Sequence, residues 1–167
     1  MTADDVTAAL DAVPPAAPAP PDAERQAAPL LDTPPPQNLE AEHAVLGSMI
    51  LDTTGAAATT CTRMLRADNF LDPACRVLFG FLAAHRESDE RADLVALEGS
   101  LAAAGLLDAI GGRAFLLELS DAVPVLANAP IYARLVRRAA AQRTAVQAGL
   151  ELAKRAGEGG ADVPELL

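Results

Sequence analysis

Proline divides this chain into two parts. Nine of its thirteen prolines lie within residues 1–36, and that segment ends with Pro34-Pro35-Pro36. Because proline fixes φ and lacks an N–H donor, no regular helix or strand can continue through such a stretch. The rest of residues 1–36 is mainly alanine with acidic side chains and no aromatic residue, a composition typical of disordered segments. We expect a spacer there, or else a docking motif.

The domain organisation follows from that boundary. The sequence predicts a disordered Pro/Ala-rich tail at 1–36 and a helical domain at 37–156. Residues 157–167 resemble the start of a linker that is cut short relative to a longer design, since Pro164 and the following leucines begin a further helix that nothing completes.

The first predicted helix begins after Asn38, a residue type that caps helices with its side-chain oxygen. Glu40 and Glu42 follow in the first turn, where carboxylates favour the positive end of the helix dipole. The spacing of four, three and four residues places one set of side chains on a single face: Leu39, His43, Leu46 and Ile50. His43 is therefore predicted to be a packed, hydrogen-bonded core residue.

The remainder of the domain is predicted to be all-α. Aromatic residues make up only 3% of the chain, so the core must come from Leu, Val, Ile and Ala, which suits packed helices. Residues 56–66 form a helix weakened by threonines, and Asp72-Pro73 starts another. Further helices are bounded by Asp93, Gly105, Gly111-Gly112 and Asn128. No period-two pattern of a β-strand is present.

Charge and hydropathy exclude several functions. The net charge of -10 argues against non-specific nucleic-acid binding, which needs clustered Lys and Arg. No apolar run approaches the roughly 18–20 residues that cross a bilayer, and the N-terminus has no signal-peptide pattern. We expect a cytoplasmic protein that contacts no membrane.

The two cysteines, Cys61 and Cys75, have no CxxC spacing and are predicted to be free thiols, one or both of them buried. A zinc site that combines them with His43 and His85 is conceivable, but their scattered spacing matches no usual zinc pattern. We therefore expect neither a metal nor a cofactor.

Catalytic motifs are missing from the sequence. It contains no GxSxG, HExxH, GxGxxG or GxxxxGK[ST] pattern. The single lysine, Lys154, does not follow a glycine-rich loop, so a P-loop cannot form. The chain is predicted to be an interaction domain rather than an enzyme.

The last long helix carries a concentration of positive charge. From Arg134 to Arg155 there are six basic residues and one acidic residue. Such a face is either a solvated surface that pairs with the acidic remainder of the chain or a surface that binds a partner.

Several segments in order resemble one family. Residues 35–47, PPQNLEAEHAVLG, closely resemble the opening of the N-terminal domain of bacterial replicative DNA helicases of the DnaB family. Residues 65–70 resemble the family's L-x-P-E-D-F segment, residues 93–97 its D-x-V-T-L, and residues 111–119 its G-G-x-x-Y-L-x-x-L. Val123-Pro124, Ala127-Asn128, the YARLV segment at 132–136 and Arg143 complete the set.

The resemblance implies a small helical bundle, or head, followed by a two-helix hairpin. In the family such domains pair through their hairpins, form a collar above the motor ring and take part in recruiting primase. The hairpin would comprise Gly112 to Asp121 and Asn128 to Ala156. The candidate residues for self-association or partner binding are Phe115, Leu119, Ile131, Arg134, Leu135, Arg137, Arg138 and Val146.

On this basis the chain is expected to be a non-catalytic oligomerisation and primase-docking domain of a DnaB-type replicative helicase. Its expected partners are itself, as a dimer or as part of a hexameric collar, and primase or a helicase loader, with only indirect contact to DNA. The alternatives are a free-standing regulator or decoy that binds helicase or primase, or a small helical DNA-binding protein. The motor domain is absent, and His43 and Ala67 depart from the family's usual Gln and Pro.

Overall fold

The computed structural model describes residues 34–85 and 94–157. Three predicted features lie outside the described residues: the tail except for its last three prolines, the cap at Asp93, and the linker start after Gly157. The described part is all-α, as expected, and contains no strand. Its six α-helices are α1 Leu39–Leu51, α2 Ala56–Met64, α3 Pro73–Ala84, α4 Leu94–Ala103, α5 Gly112–Asp121 and α6 Ala129–Gly157.

Helix starts and ends lie close to the predicted positions. Asn38 Oδ1 accepts a hydrogen bond from the N–H of Ala41 at 3.0 Å, and Asp72 Oδ1 accepts one from Ala74 at 2.8 Å with Pro73 at the first helical position. Gly105 follows α4 with a φ of 69°, which is the left-handed conformation that glycine adopts at helix C-termini.

Helix α1 lies at the centre of the fold. It packs against α2, α3, α5 and α6, and its residues from Ala44 to Ile50 are all buried. The predicted single face is therefore too narrow: Leu39 is exposed at the start of the helix, whereas Leu46 and Ile50 are in the core. A helix surrounded by four others is apolar on every side, so its sequence shows no simple stripe.

The last two helices meet at a corner. Their axes differ in direction by 92°, and each of them packs against α1. The helical head followed by two further helices is present, as predicted. Both helices bury apolar side chains against α1.

Candidate interaction surface and polar cluster

Helix α6 presents one side to the core. Its buried residues are Ala129, Ala133, Val136, Ala139, Ala140 and Arg143, and all but Ala139 recur at spacings of four, three, four and three. At 100° per residue these positions share one face, and they pack on α1 and α2. Small side chains on this face let the helices approach closely.

The outward side of α6 carries exposed apolar residues. Ile131 is 44% exposed, and Leu135 and Val146 are each 40% exposed. Since eleven residues are close to three helical turns, Leu135 and Val146 lie on the same stripe. We call Ile131, Leu135, Val146 and Leu150 the α6 apolar stripe, and three of its four members were predicted as interface residues.

Three exposed arginines lie on the N-terminal half of α6, and two of them, Arg134 and Arg138, lie beside this stripe. Arg134, Arg137 and Arg138 are exposed, and no acidic side chain in residues 34–85 or 94–157 lies within ion-pair distance of them. Their guanidinium groups are thus available to an acidic partner.

Arg143 does not belong to that basic face. It is buried, and its guanidinium donates to the carbonyl oxygen of Asn69 at 2.5 Å and to that of Pro36 at 3.1 Å. The concentration of positive charge predicted from the sequence is therefore smaller at the surface, because one of its arginines holds two distant parts of the backbone.

The other two predicted interface residues lie elsewhere. Leu119 is fully buried, and Phe115 is half-buried with its ring edge-on to the imidazole of His43 at 5.6 Å between centroids. The structure thus separates the predicted set into a surface group on α6 and a core group on α5.

The C-terminal half of α6 has no support from the described residues of the head. Every side chain from Thr144 to Arg155 is exposed, including Leu150 and Leu152. Helical segments of this length are marginally stable in water on their own, so the exposed apolar side favours contact with another surface.

A groove of about 370 Å³ lies between the start of α1 and the start of α6. Its floor and walls are mostly apolar, and its polar lining comes from the start of α1. The lining residues are Asn38, Glu40, Ala41, His43, Ala44, Ala122, Pro124, Tyr132 and Leu135. The groove therefore adjoins the α6 apolar stripe at Leu135.

Glu42 has a structural role that was not predicted from the sequence. Its side chain is 1% exposed, and its two carboxylate oxygens accept hydrogen bonds from the N–H groups of Leu71 at 2.8 Å and Asp72 at 3.2 Å. Glu42 also lies in the first turn of α1, as predicted. Glu42 holds the segment that leads into α3.

A polar cluster lies next to Glu42. One possible ligand atom from each of His43, Asp72 and Cys75 lies within 4.8 Å of the other two. Cys75 Sγ is 3.6 Å from Asp72 Oδ2, and His43 Nδ1 is 3.6 Å from Glu118 Oε1. His43 is 19% exposed, so it packs as predicted but also faces the groove.

Both cysteines are free and buried, as predicted. Burial raises the pKa of Cys61 to about 11. Burial also raises the pKa of Cys75, and the neighbouring carboxylates of Asp72 and Glu42 raise it further. Neither thiol is a reactive thiolate near neutral pH.

In residues 34–85 and 94–157 no single helix is long and apolar enough to cross a membrane; α5 and α6 meet those criteria only when counted together as a bent pair.

Comparisons with known proteins agree on one family. Residues 34–138 match the family described as "DnaB-like helicase N terminal domain". The chain is 40% identical over 110 residues to the replicative DNA helicase DnaB of Treponema pallidum, covering 66% of this chain and 25% of that protein. For the DnaB of Geobacillus stearothermophilus the identity is 37% over 120 residues, covering 72% and 26%. The chain thus spans about a quarter of these relatives.

A solved structure shows the same fold. The crystal structure of the N-terminal domain of DnaB helicase from Mycobacterium tuberculosis superposes with a TM-score of 0.70 at 35% identity. The match covers 79% of this chain and 94% of that one.

Proposed function

Because this chain belongs to the family of DnaB-like helicase N-terminal domains, we propose that it is a non-catalytic oligomerisation and partner-docking domain acting in DNA replication. It assembles with further copies of itself, and it docks a partner such as primase or a helicase loader. The observation that carries the proposal is the α6 apolar stripe, which continues along the C-terminal half of α6, where the residues from Thr144 to Arg155 are exposed.

Self-association follows from the energetics of that stripe. Apolar surface removed from water stabilises a complex by about 25 cal/mol per Å². Association itself costs about 4–15 kcal/mol in lost freedom, so a specific interface needs about 1,000 Å² or more. When two copies pair along the length of α6, the α6 apolar stripe of each copy is buried. A contact through the head alone would leave both stripes exposed.

Partner docking follows from the exposed arginines on the N-terminal half of α6. Arg134, Arg137 and Arg138 offer guanidinium groups that bind carboxylates in a bidentate manner. We expect the partner surface to be acidic at this place and apolar where it meets Leu135. The adjoining groove offers room for an inserted side chain or short segment.

The test is the oligomeric state of the whole chain over a range of concentrations, measured by sedimentation velocity. The wild-type chain is expected to form dimers or larger assemblies. Val146→Glu combined with Leu150→Glu places two charges on the stripe and should weaken assembly by about 100-fold, since a buried unpaired charge costs several kcal/mol. Val95→Glu is the matched control, because Val95 is 66% exposed on α4, and it should leave assembly unchanged.

A wild-type chain that stays monomeric at high concentration would contradict self-association. The exposed arginines also favour one alternative function, which is binding of duplex DNA. Duplex binding at physiological salt that Arg137→Glu with Arg138→Glu abolishes would support this alternative instead.

A further inference from the structure

We propose that His43, Asp72 and Cys75 form a binding site for a divalent transition-metal ion, which their donor atoms identify as Zn²⁺. His43 lies in α1, Asp72 caps α3 and Cys75 lies in the first turn of α3, and one donor atom of each lies within 4.8 Å of the others. The site does not include any residue of the α6 apolar stripe, and it adjoins the groove through His43.

The donor set matches the coordination chemistry of zinc. An imidazole nitrogen, a thiolate sulfur and a carboxylate oxygen are the three ligand classes that bind Zn²⁺ in proteins, at about 2.0–2.3 Å. Mg²⁺ and Ca²⁺ prefer oxygen alone, so a thiolate and an imidazole exclude them as the preferred ions. Three protein ligands leave the fourth position for water or for the nearby Glu118, whose Oε1 is 3.6 Å from His43 Nδ1.

The surroundings hold the ligands in place. The Asp72 carboxylate caps α3 through Oδ1, which accepts from Ala74, while Oδ2 faces Cys75 Sγ. The backbone of Asp72 is fixed in turn by Glu42. Such outer hydrogen bonds orient ligands and strengthen metal sites.

Charge also favours a cation here. Three carboxylates surround the cluster: Asp72 Oδ2 lies 3.6 Å from Cys75 Sγ, Glu118 Oε1 lies 3.6 Å from His43 Nδ1, and Glu42 accepts a hydrogen bond from the N–H of Asp72. Within the part of the chain that the structure describes, no lysine or arginine pairs with any of these three carboxylates. Arg76, the nearest in sequence, donates instead to the carbonyl oxygen of Phe70. A divalent ion would offset this negative charge.

Binding requires one proton to leave. The Cys75 S–H bond breaks, the proton passes to solvent and a Zn–S bond forms, while neutral His43 donates a nitrogen lone pair. The entry path is the groove, because His43 lines it. The spacing of the ligands follows no sequence pattern, since His43 lies far before the Asp72–Cys75 pair.

The test uses the whole reduced chain, first treated with a chelator and then titrated with Co²⁺ as a coloured substitute for Zn²⁺. We expect one equivalent of Co²⁺ to produce a thiolate-to-metal charge-transfer band, and one equivalent of Zn²⁺ to remove that band by displacement. Cys75→Ser should abolish the band. His43→Gln should weaken binding by more than about 100-fold, since even outer-shell changes cost 10–100-fold.

Two variants serve as matched controls. Cys61→Ser removes the other buried thiol and His85→Gln removes the other imidazole, and neither residue belongs to the cluster. Both should bind Co²⁺ as the wild type does. If Cys75→Ser does not fold, His43→Gln decides, with its helical content checked by circular dichroism. A wild-type chain without a charge-transfer band, or a band that survives in Cys75→Ser, would overturn the proposal.

Discussion

At the scale of single residues, Gly47 marks the closest approach of two helices. A Cβ atom at this position would lie 2.5 Å from Cγ2 of Val123 and closer still to the carbonyl oxygen of Leu119. Both neighbours belong to the end of α5 or to the turn after it. The absence of a side chain at Gly47 is therefore what lets α1 and α5 pack together.

Gly47→Ala should destabilise the domain. The added methyl group meets the backbone of Leu119 as well as the side chain of Val123, so the helices must separate, and overpacking of this kind costs about 1–3 kcal/mol. The free energy of unfolding in urea is the measurement. Gly80→Ala is the control, because a Cβ at Gly80 meets nothing within 4 Å; that change should stabilise α3 by about 0.5–1 kcal/mol. Equal effects of the two substitutions would contradict the close packing.

Single residues are also where the sequence was least informative. The sequence placed Glu42 in a first helical turn and Arg143 within a concentration of positive charge, without indicating that either is buried. Both are buried and hydrogen-bonded to backbone groups: Glu42 to Leu71 and Asp72, and Arg143 to Pro36 and Asn69. No sequence pattern encodes such partners, since a backbone N–H or C=O has the same chemistry at every position.

At the scale of elements, α2 shows how a weak helix is secured. The threonines of this segment reduce its intrinsic preference for a helix, yet the helix forms over Ala56–Met64. The Asp52 carboxylate accepts hydrogen bonds from the N–H of Ala57 at 2.6 Å and from the hydroxyl of Thr54 at 2.6 Å. Partial burial would raise the pKa of Asp52, but these bonds and those from the Thr54 and Ala56 N–H groups outweigh it and lower the pKa.

Asp52→Ala should therefore destabilise the domain by about 1 kcal/mol at pH 7, the usual cost of losing a helix cap. A carboxyl group whose pKa is lower in the folded state stabilises above its unfolded pKa, about 3.9. That stability is lost as the pH falls through the folded pKa. The difference between wild type and variant should accordingly be full at pH 5–7 and shrink below about pH 4.

Urea unfolding at several pH values measures this difference, with Asp108→Ala as the control because Asp108 is exposed. A difference that stays constant down to pH 2 would show that the side chain stabilises α2 without its charge.

Elements were predicted better than their arrangement. Three helix boundaries were predicted correctly, at Asn38, Asp72-Pro73 and Gly105. A helix cap depends only on residues close together in sequence, so it can be predicted from them. The 92° corner between α5 and α6 was not predictable in this way. The angle depends on the packing of both helices against α1. Packing of this kind cannot be read from the sequence of either helix alone.

At the scale of the whole molecule, charge opposes the proposed self-association. Each chain carries a net charge of -10 at pH 7, so two copies repel each other at long range. The apolar contact between two α6 apolar stripes acts only at short range, and salt does not screen it as it screens an interaction between charges. Docking of an acidic partner on Arg134, Arg137 and Arg138 depends on charge attraction instead. The two proposed uses of α6 should therefore respond to salt in opposite directions.

Raising the ionic strength from about 0.01 M to about 0.1 M shortens the Debye length from about 30 Å to about 10 Å. We expect the dimer to become tighter over this range, because the repulsion between the chains is screened while the apolar contact is retained. A glutamate-rich peptide bound at the arginines should become weaker over the same range. Sedimentation equilibrium measures the dissociation constant of the dimer, and fluorescence anisotropy of the labelled peptide measures the dissociation constant of the peptide complex. A dimer that weakens as salt rises would mean that its interface pairs arginines with the acidic residues of the second copy, and the α6 apolar stripe would no longer be its main contact.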